Sequence, residues 1–372
     1  MIKKSFTSFL IVILLFVSIA VLFQKTKYLN SLGIKSSSTK LDSLIKSKTG
    51  KSTPGFAVMV IYNGKKIYKK GFGLANLHLD IPITPHTDFY LASVSKEFTT
   101  MAIMILHDRG LLKFDDPVKK YLPGLPKYGD KITIRNLMTH TSGIPDYYEL
   151  LGYTHDFKGI TNQDVWNLLL KQDSLNFTPG TKYEYSNSGF VLLSMIVEKV
   201  SHESFAEFLK ENIFNKLGMK NTLVITPSVK SIPNKAIGYS KDSTGNYKPD
   251  DYDQFTTGAG GIYSNTSDLY KWDQSLYTTK LVKKTTLKEA FTNQKLINGT
   301  EINYGFGWMM GIFKEGRLKG IKYLYHTGAL DGFRNLIFRI PQKHFSYIVL
   351  SNTGEQLSDA ETIAKIFWNT KE

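Results

Sequence analysis

The chain has 372 residues, 42% of them hydrophobic and 13% aromatic, with no cysteine and a formal charge of +15. That length allows one large core or two interleaved ones. The lack of cysteine excludes a thiol nucleophile, a thiolate zinc site, a disulfide framework and a lipid-modified cysteine. Residues 1–52 carry nine lysines against one acid, Asp42, and the other 320 residues carry 38 basic and 31 acidic side chains of mixed sign. There is no arginine-rich helix, aromatic RNA-binding signature or zinc-finger spacing, so no nucleic-acid partner is expected. A basic surface near a polyanionic membrane or cell wall is the expected meaning of the charge.

In chain order, Lys3 and Lys4 precede an apolar run from Phe9 to Phe23. This is the layout of an export signal or a short membrane anchor. Phe23-Gln24-Lys25 follows in place of a small-x-small cleavage site, so residues 1–23 are expected to stay as a single-pass anchor with the body outside the cytoplasm. Secretion is the alternative. Residues 24–40, rich in Lys, Ser and Thr, read as a basic polar tether. The folded body is expected over residues 41–372, opening with a short amphipathic helix on Leu41, Leu44 and Ile45. Phe56–Tyr62 reads as a strand, Asn63-Gly64 as a hairpin turn and Lys66–Gly71 as the returning strand. Apolar residues at helical spacing predict a helix from Val94 to Asp108, ended by Gly110.

Further on, helical stretches at Asn162–Leu170, Val191–Val200 and Phe205–Leu217 alternate with Pro/Gly-rich loops. Strands return at Tyr323–His326, Arg334–Ile340 and Ser346–Leu350, and Asp359–Trp368 closes as a helix. The pattern predicts an α+β fold. Its antiparallel sheet, flanked by helices, would draw on residues 41–100 and 255–372, with a largely helical insertion over 101–254.

Three motifs could carry chemistry. Ser93-Val94-Ser95-Lys96 puts a serine and a lysine on one face at a helix start. A serine hydroxyl needs a neighbouring base, and Lys96 can serve if burial, or a second cation, lowers its pKa. Tyr185-Ser186-Asn187 opens a helix, and a tyrosine near Lys96 can shuttle protons if its own pKa falls. His326-Thr327-Gly328 ends the strand that begins at Tyr323, where backbone N–H groups are available and Gly328 permits close approach. Each motif also has a plain structural reading: a helix cap with a solvated lysine, a packed tyrosine beside a cap, and a polar strand end. Ser37–Lys40 and Ser43–Lys46 repeat the first pattern, and Tyr28-Leu29-Asn30 and Tyr263-Ser264-Asn265 the second. Tyr263 is the serious rival, because it too falls between the first and third motifs. His140 reads as a loop brace. The sequence has no H-E-x-x-H, nucleophile elbow or phosphate loop, so neither a metal nor a cofactor is expected.

The order of these motifs resembles the serine β-lactamase and penicillin-binding-protein superfamily, in its class C-like branch. Phe89–Lys96, Leu137–Gly143, Tyr185–Asn187, Gly258–Gly261, Tyr304–Trp308 and His326–Gly328 resemble family blocks in family order. The resemblance favours Tyr185 over Tyr263. It implies that Ser93 is acylated, that Lys96 and Tyr185 transfer protons, and that Asn187, Thr327 and Gly328 hold substrate. The oxyanion would then be bound by the N–H groups of Ser93 and Ala329. Together with the N-terminal apolar run, it points to a membrane-tethered hydrolase acting on small-molecule, peptidoglycan or teichoic-acid-type substrates with D-alanyl-type amide or ester bonds. A small-molecule esterase or peptidase, or a non-hydrolytic acyl-trapping sensor, are the alternatives. His326 stands where many β-lactamases carry lysine. With an ordinary pKa near 6.5 it would be almost fully charged below about pH 5.5 and little charged above about pH 7.5, so carboxylate binding is expected to weaken as pH rises through that window.

Overall fold

The computed structural model describes residues 33–153, 156–229, 231–251 and 254–368. The expected anchor over 1–23 lies outside them. Among the described residues no helix is long and apolar enough to cross a membrane.

Helix α1 spans Ile34–Lys46, so the tether expected over 24–40 is corrected at its end: residues 34–40 are already helical. The Ser36–Thr39 run is a poor helix former. Ser37, Leu41 and Ile45, four residues apart, are nonetheless fully buried on one face, and Ser37 Oγ donates to the Ile366 carbonyl at 3.1 Å. Docking of that face, which local composition does not report, outweighs propensity.

Strands β1 (Phe56–Tyr62) and β2 (Lys65–Phe72) follow. They are joined by Asn63-Gly64, whose φ angles of 48° and 71° are ones this pair adopts at little cost. The other elements that frame the site are helix α2 (Lys96–Asp108), helix α3 (Asn187–Ser201) and helix α4 (Thr266–Ser275). Then come strands β3 (Met309–Ile312), β4 (Lys322–Leu330), β5 (Phe333–Ile340) and β6 (Phe345–Ser351), and helix α5 (Thr362–Trp368). The predicted Phe205–Leu217 helix is interrupted by a π turn over Lys210–Phe214.

The fold is α+β. One six-stranded antiparallel sheet runs β3-β4-β5-β6-β1-β2, so the opening hairpin pairs with the last strand. Both faces are covered, and β1 shows why its sequence is apolar throughout. Phe56, Val58 and Val60 enter a core with the terminal helices, including Leu41, Ile45, Ile363 and Phe367. Ala57, Met59 and Ile61 enter the larger core with α2 and α3. Strand β4 does not end at Gly328 as the sequence suggested. It continues to Leu330, pairing Ala329 with Arg334, and turns at Asp331-Gly332.

Candidate active site

The site lies where the start of α2 meets β4 and the start of α3. Leu91 is followed by Ala92, held at φ 48°, a left-handed conformation uncommon for a residue with a Cβ. That turn delivers Ser93 into a tight turn over Ala92–Ser95 that runs into α2. Strand β4 passes close behind it. A Cβ on Gly328 would sit 2.1 Å from the Leu91 carbonyl oxygen, so only glycine allows this approach. Side chains alternate along β4: His326 and Gly328 are buried, while Thr327 and Ala329 face a cleft of about 540 Å³ that Ser93, Tyr185 and Asn187 also line.

Lys96 is fully buried. Its Nζ lies 3.0 Å from Ser93 Oγ, 2.8 Å from Asn187 Oδ1 and 2.9 Å from the Ala259 carbonyl oxygen. Burial pulls its pKa down from 10.5 to about 7, and the Asp146 carboxylate opposes the shift. The second cation considered from the sequence is not needed. When uncharged, the amine can donate to Asn187 and Ala259 and accept the Ser93 hydroxyl proton. Tyr185 shares this corner: Lys96 Nζ sits 4.9 Å from the centre of its ring. Burial raises the Tyr185 pKa, against the lowering expected from the sequence, and Ser93 acts to lower it. The phenol therefore stays protonated and can pass a proton on only as another is returned to it.

Asp146, which sequence reasoning missed, fixes Asn187. Its Oδ2 accepts from the Asn187 backbone N–H at 2.6 Å and side-chain amide at 3.0 Å, leaving Asn187 Oδ1 aimed at Lys96. Asp146 also caps the Tyr147–Leu151 helix, and that cap was the available signal in the sequence. The rival Tyr263 packs edge-on against Tyr90, away from the lining of the cleft. Asn265, two residues on, caps α4 and donates to Asp88 at 2.7 Å.

His326 is placed differently from expectation. It is fully buried behind the cleft, and burial, with Lys96 nearby, lowers its pKa to about 3. It is uncharged across the physiological range, so His326 cannot supply the expected loss of carboxylate binding through pH 5.5–7.5. Its hydrogen bonds belong to a chain. The Ser186 N–H donates to His140 Nδ1 at 3.1 Å. His140 Nε2 lies 3.2 Å from the Tyr304 hydroxyl, which lies 3.1 Å from His326 Nε2. His326 Nδ1 meets the Thr327 carbonyl oxygen at 2.7 Å. A backbone N–H only donates and a carbonyl only accepts. Each neutral ring therefore has one tautomer, and the Tyr304 hydroxyl accepts from His140 and donates to His326. His140 also stacks on Tyr185 at 4.2 Å. It is thus more than the loop brace read from sequence, and Tyr304, noted there only within a motif block, links the two histidines.

No group of metal-ligating side chains occurs among the described residues. Residues 41–366 match the family described as Beta-lactamase. The chain is 35% identical over 322 residues to Penicillin-binding protein 4* of Bacillus subtilis (strain 168), covering 83% of this chain and 70% of that protein. It is 26% identical over 321 residues to D-aminopeptidase of Gluconobacter oxydans (strain 621H), covering 84% of this chain and 58% of that one. Among solved structures, the octameric penicillin-binding protein homologue from Pyrococcus abyssi superposes with a TM-score of 0.75 at 29% identity, covering 88% of this chain and 75% of the other.

Proposed function

The chain belongs to the beta-lactamase family, and from that premise we propose that it is a serine hydrolase acting through an acyl-enzyme on Ser93. Its substrates would be D-alanyl-type amide or ester bonds of the cell wall, and residues 1–23 would hold it at the membrane with the catalytic body outside. The observation that carries the reading is Lys96 Nζ, 3.0 Å from Ser93 Oγ and near half-deprotonated at neutral pH. The names of the two curated relatives, a penicillin-binding protein and a D-aminopeptidase, support the substrate class.

In this reading Lys96 takes the Ser93 proton as Oγ attacks the carbonyl carbon. The developing oxyanion is held by the N–H groups of Ser93 and Ala329. The proton passes through Tyr185 to the leaving nitrogen or oxygen, the C–N or C–O bond breaks, and the acyl group stays on Ser93. Water then attacks the acyl carbon along the same relay, releasing the acid and restoring Ser93. Asn187 and Thr327 align the substrate along β4.

Ser93→Ala is expected to abolish covalent labelling by a fluorophosphonate probe and all ester hydrolysis, with thermal unfolding unchanged. Labelling that persists on another serine, such as Ser142 or Ser186, overturns the assignment. An acyl-enzyme that forms on Ser93 and is never hydrolysed would favour an acyl-trapping sensor.

A further inference from the structure

The cleft in front of Ser93 is walled by aromatic rings. Tyr147, Tyr148, Tyr153 and Tyr183 line it, with Met309 and Leu330 on the β-sheet side. Among the described residues that line it there is no lysine, arginine or histidine. The basic side chains of the two flanking motifs, Lys96 and His326, are both withdrawn from the cleft wall. Lys96 is fully buried and directed at three oxygens. His326 is fully buried, with both ring nitrogens committed to Tyr304 and to the Thr327 carbonyl. The carboxylate that holds Asn187, Asp146, adds no positive charge to the cleft.

We propose that this cleft selects substrates whose reacting end carries no carboxylate, the group beside the scissile bond being uncharged or a quaternary or primary ammonium. A carboxylate brought into this cleft loses water and gains no cationic partner among the described residues that line it, which is unfavourable unless the charge is paired. A neutral group loses less, and an ammonium gains the faces of the tyrosine rings. The proposal rests on the acyl-enzyme reading above and narrows it: esters and amides with a capped or cationic leaving side are favoured over bonds next to a free C-terminal carboxylate.

The test uses three N-acetyl-D-alanyl thioesters that differ only in the leaving thiol, which carries a carboxylate, a carboxamide or a trimethylammonium group. Released thiol is followed at pH 8, where most Lys96 is uncharged. Each kcat/KM is divided by that ester's spontaneous hydrolysis rate. The carboxamide and trimethylammonium esters are each expected to exceed the carboxylate ester at least tenfold. A smaller gap with either, or a reversed order, overturns the proposal. Met309→Lys adds a cation to the wall and is expected to raise the carboxylate ester at least tenfold relative to the carboxamide. No such rise overturns the electrostatic explanation. Fluorophosphonate labelling of Ser93 separates the two readings. If Ser93 labels and the carboxylate ester is preferred, only this proposal fails. If Ser93 does not label and no thioester turns over, the acyl-enzyme reading fails and takes this one with it.

Discussion

Lys96 and Glu97 are adjacent on α2 and both are buried, yet they join charged clusters of opposite kinds. Around Lys96 the partners are a hydroxyl, an amide oxygen and a backbone carbonyl, all neutral. Around Glu97 lies an ion pair: Arg339 Nε meets Asp273 Oδ1 at 2.6 Å with both side chains fully buried, and Ser346 Oγ donates to the same oxygen at 2.8 Å. Glu97 accepts from Trp272 Nε1 at 2.8 Å, and burial holds its carboxyl well above the usual range. Arg339, with its carboxylate in contact, is kept protonated. Lys96, without one, gives way to desolvation and drops to about 7. The first cluster stores reactivity by leaving a buried cation unpaired, and the second ties α4 to strand β5 by pairing one.

The largest effect should come from removing the unpaired cation. Lys96→Met is expected to lower acylation by about 10⁴-fold or more, since among the described residues no other base is hydrogen-bonded to Ser93. Its stability carries a second signature. The folded pKa of about 7 lies below the unfolded value of 10.5, so between those values the unfolded wild-type chain binds more protons than the folded one. The penalty for burying Lys96 is full below about pH 7 and fades as pH rises toward 10.5. The wild type should therefore gain stability relative to Lys96→Met by on the order of 1.4 kcal/mol per pH unit across that window. Urea melts of both proteins at pH 6, 8 and 9.5 measure this. A stability difference that is flat with pH would show that Lys96 is not depressed.

Breaking the paired cluster should do the reverse, with stability lost and chemistry kept. Arg339→Met leaves Asp273 buried without its cation, at a cost of about 3–5 kcal/mol. Arg339 also lies 4.6 Å over the Tyr277 ring, so some packing is lost with it. Turnover per folded molecule is expected to stay within about threefold, an energy change of under 1 kcal/mol. Adding Asp273→Leu should recover most of the lost stability, because replacing a whole buried pair by apolar groups is often near neutral. A loss of turnover as large as that of Lys96→Met would mean that the two clusters work as one.

Most of this contrast lies beyond what local sequence pattern carries. Strands β1, β5 and β6 and helix α2 are legible because their apolar runs and turn residues are local. Ser93, Lys96, Tyr185 and Asn187 are legible because each sits in a short motif in a fixed order. The start of α1 is not, since Ser37 becomes helical by docking against Ile366, a residue 329 positions away. The continuation of β4 is signalled only by Asp331-Gly332, a hairpin pair that the histidine motif overshadows. The tyrosine wall, the hold of Asp146 on Asn187 and the burial of His326 all arise where distant segments meet. Periodicity and spacing are silent about which side of β4 faces the cleft until the sheet's register is known.

The smallest effect is expected from the third buried polar cluster, the uncharged chain through His140, Tyr304 and His326. It spans the cleft from the Ser186 N–H, next to Tyr185, to the Thr327 carbonyl on β4. Tyr304→Phe keeps the ring and removes the one hydroxyl that serves both histidines. His140 Nε2–H then loses its acceptor and His326 Nε2 its donor, which should destabilise by about 1–3 kcal/mol, less than breaking the buried ion pair because no charge is stranded. Since His140 backs the Tyr185 ring at 4.2 Å, the looser stack should lower kcat by about tenfold, or roughly 1.4 kcal/mol, with KM unchanged because Asn187 and Thr327 are untouched. Steady-state kinetics on a neutral ester and a thermal melt decide it. A change in KM alone would move the chain's role to substrate binding. An unchanged kcat beside lost stability would make it a brace between the walls with no hold on Tyr185.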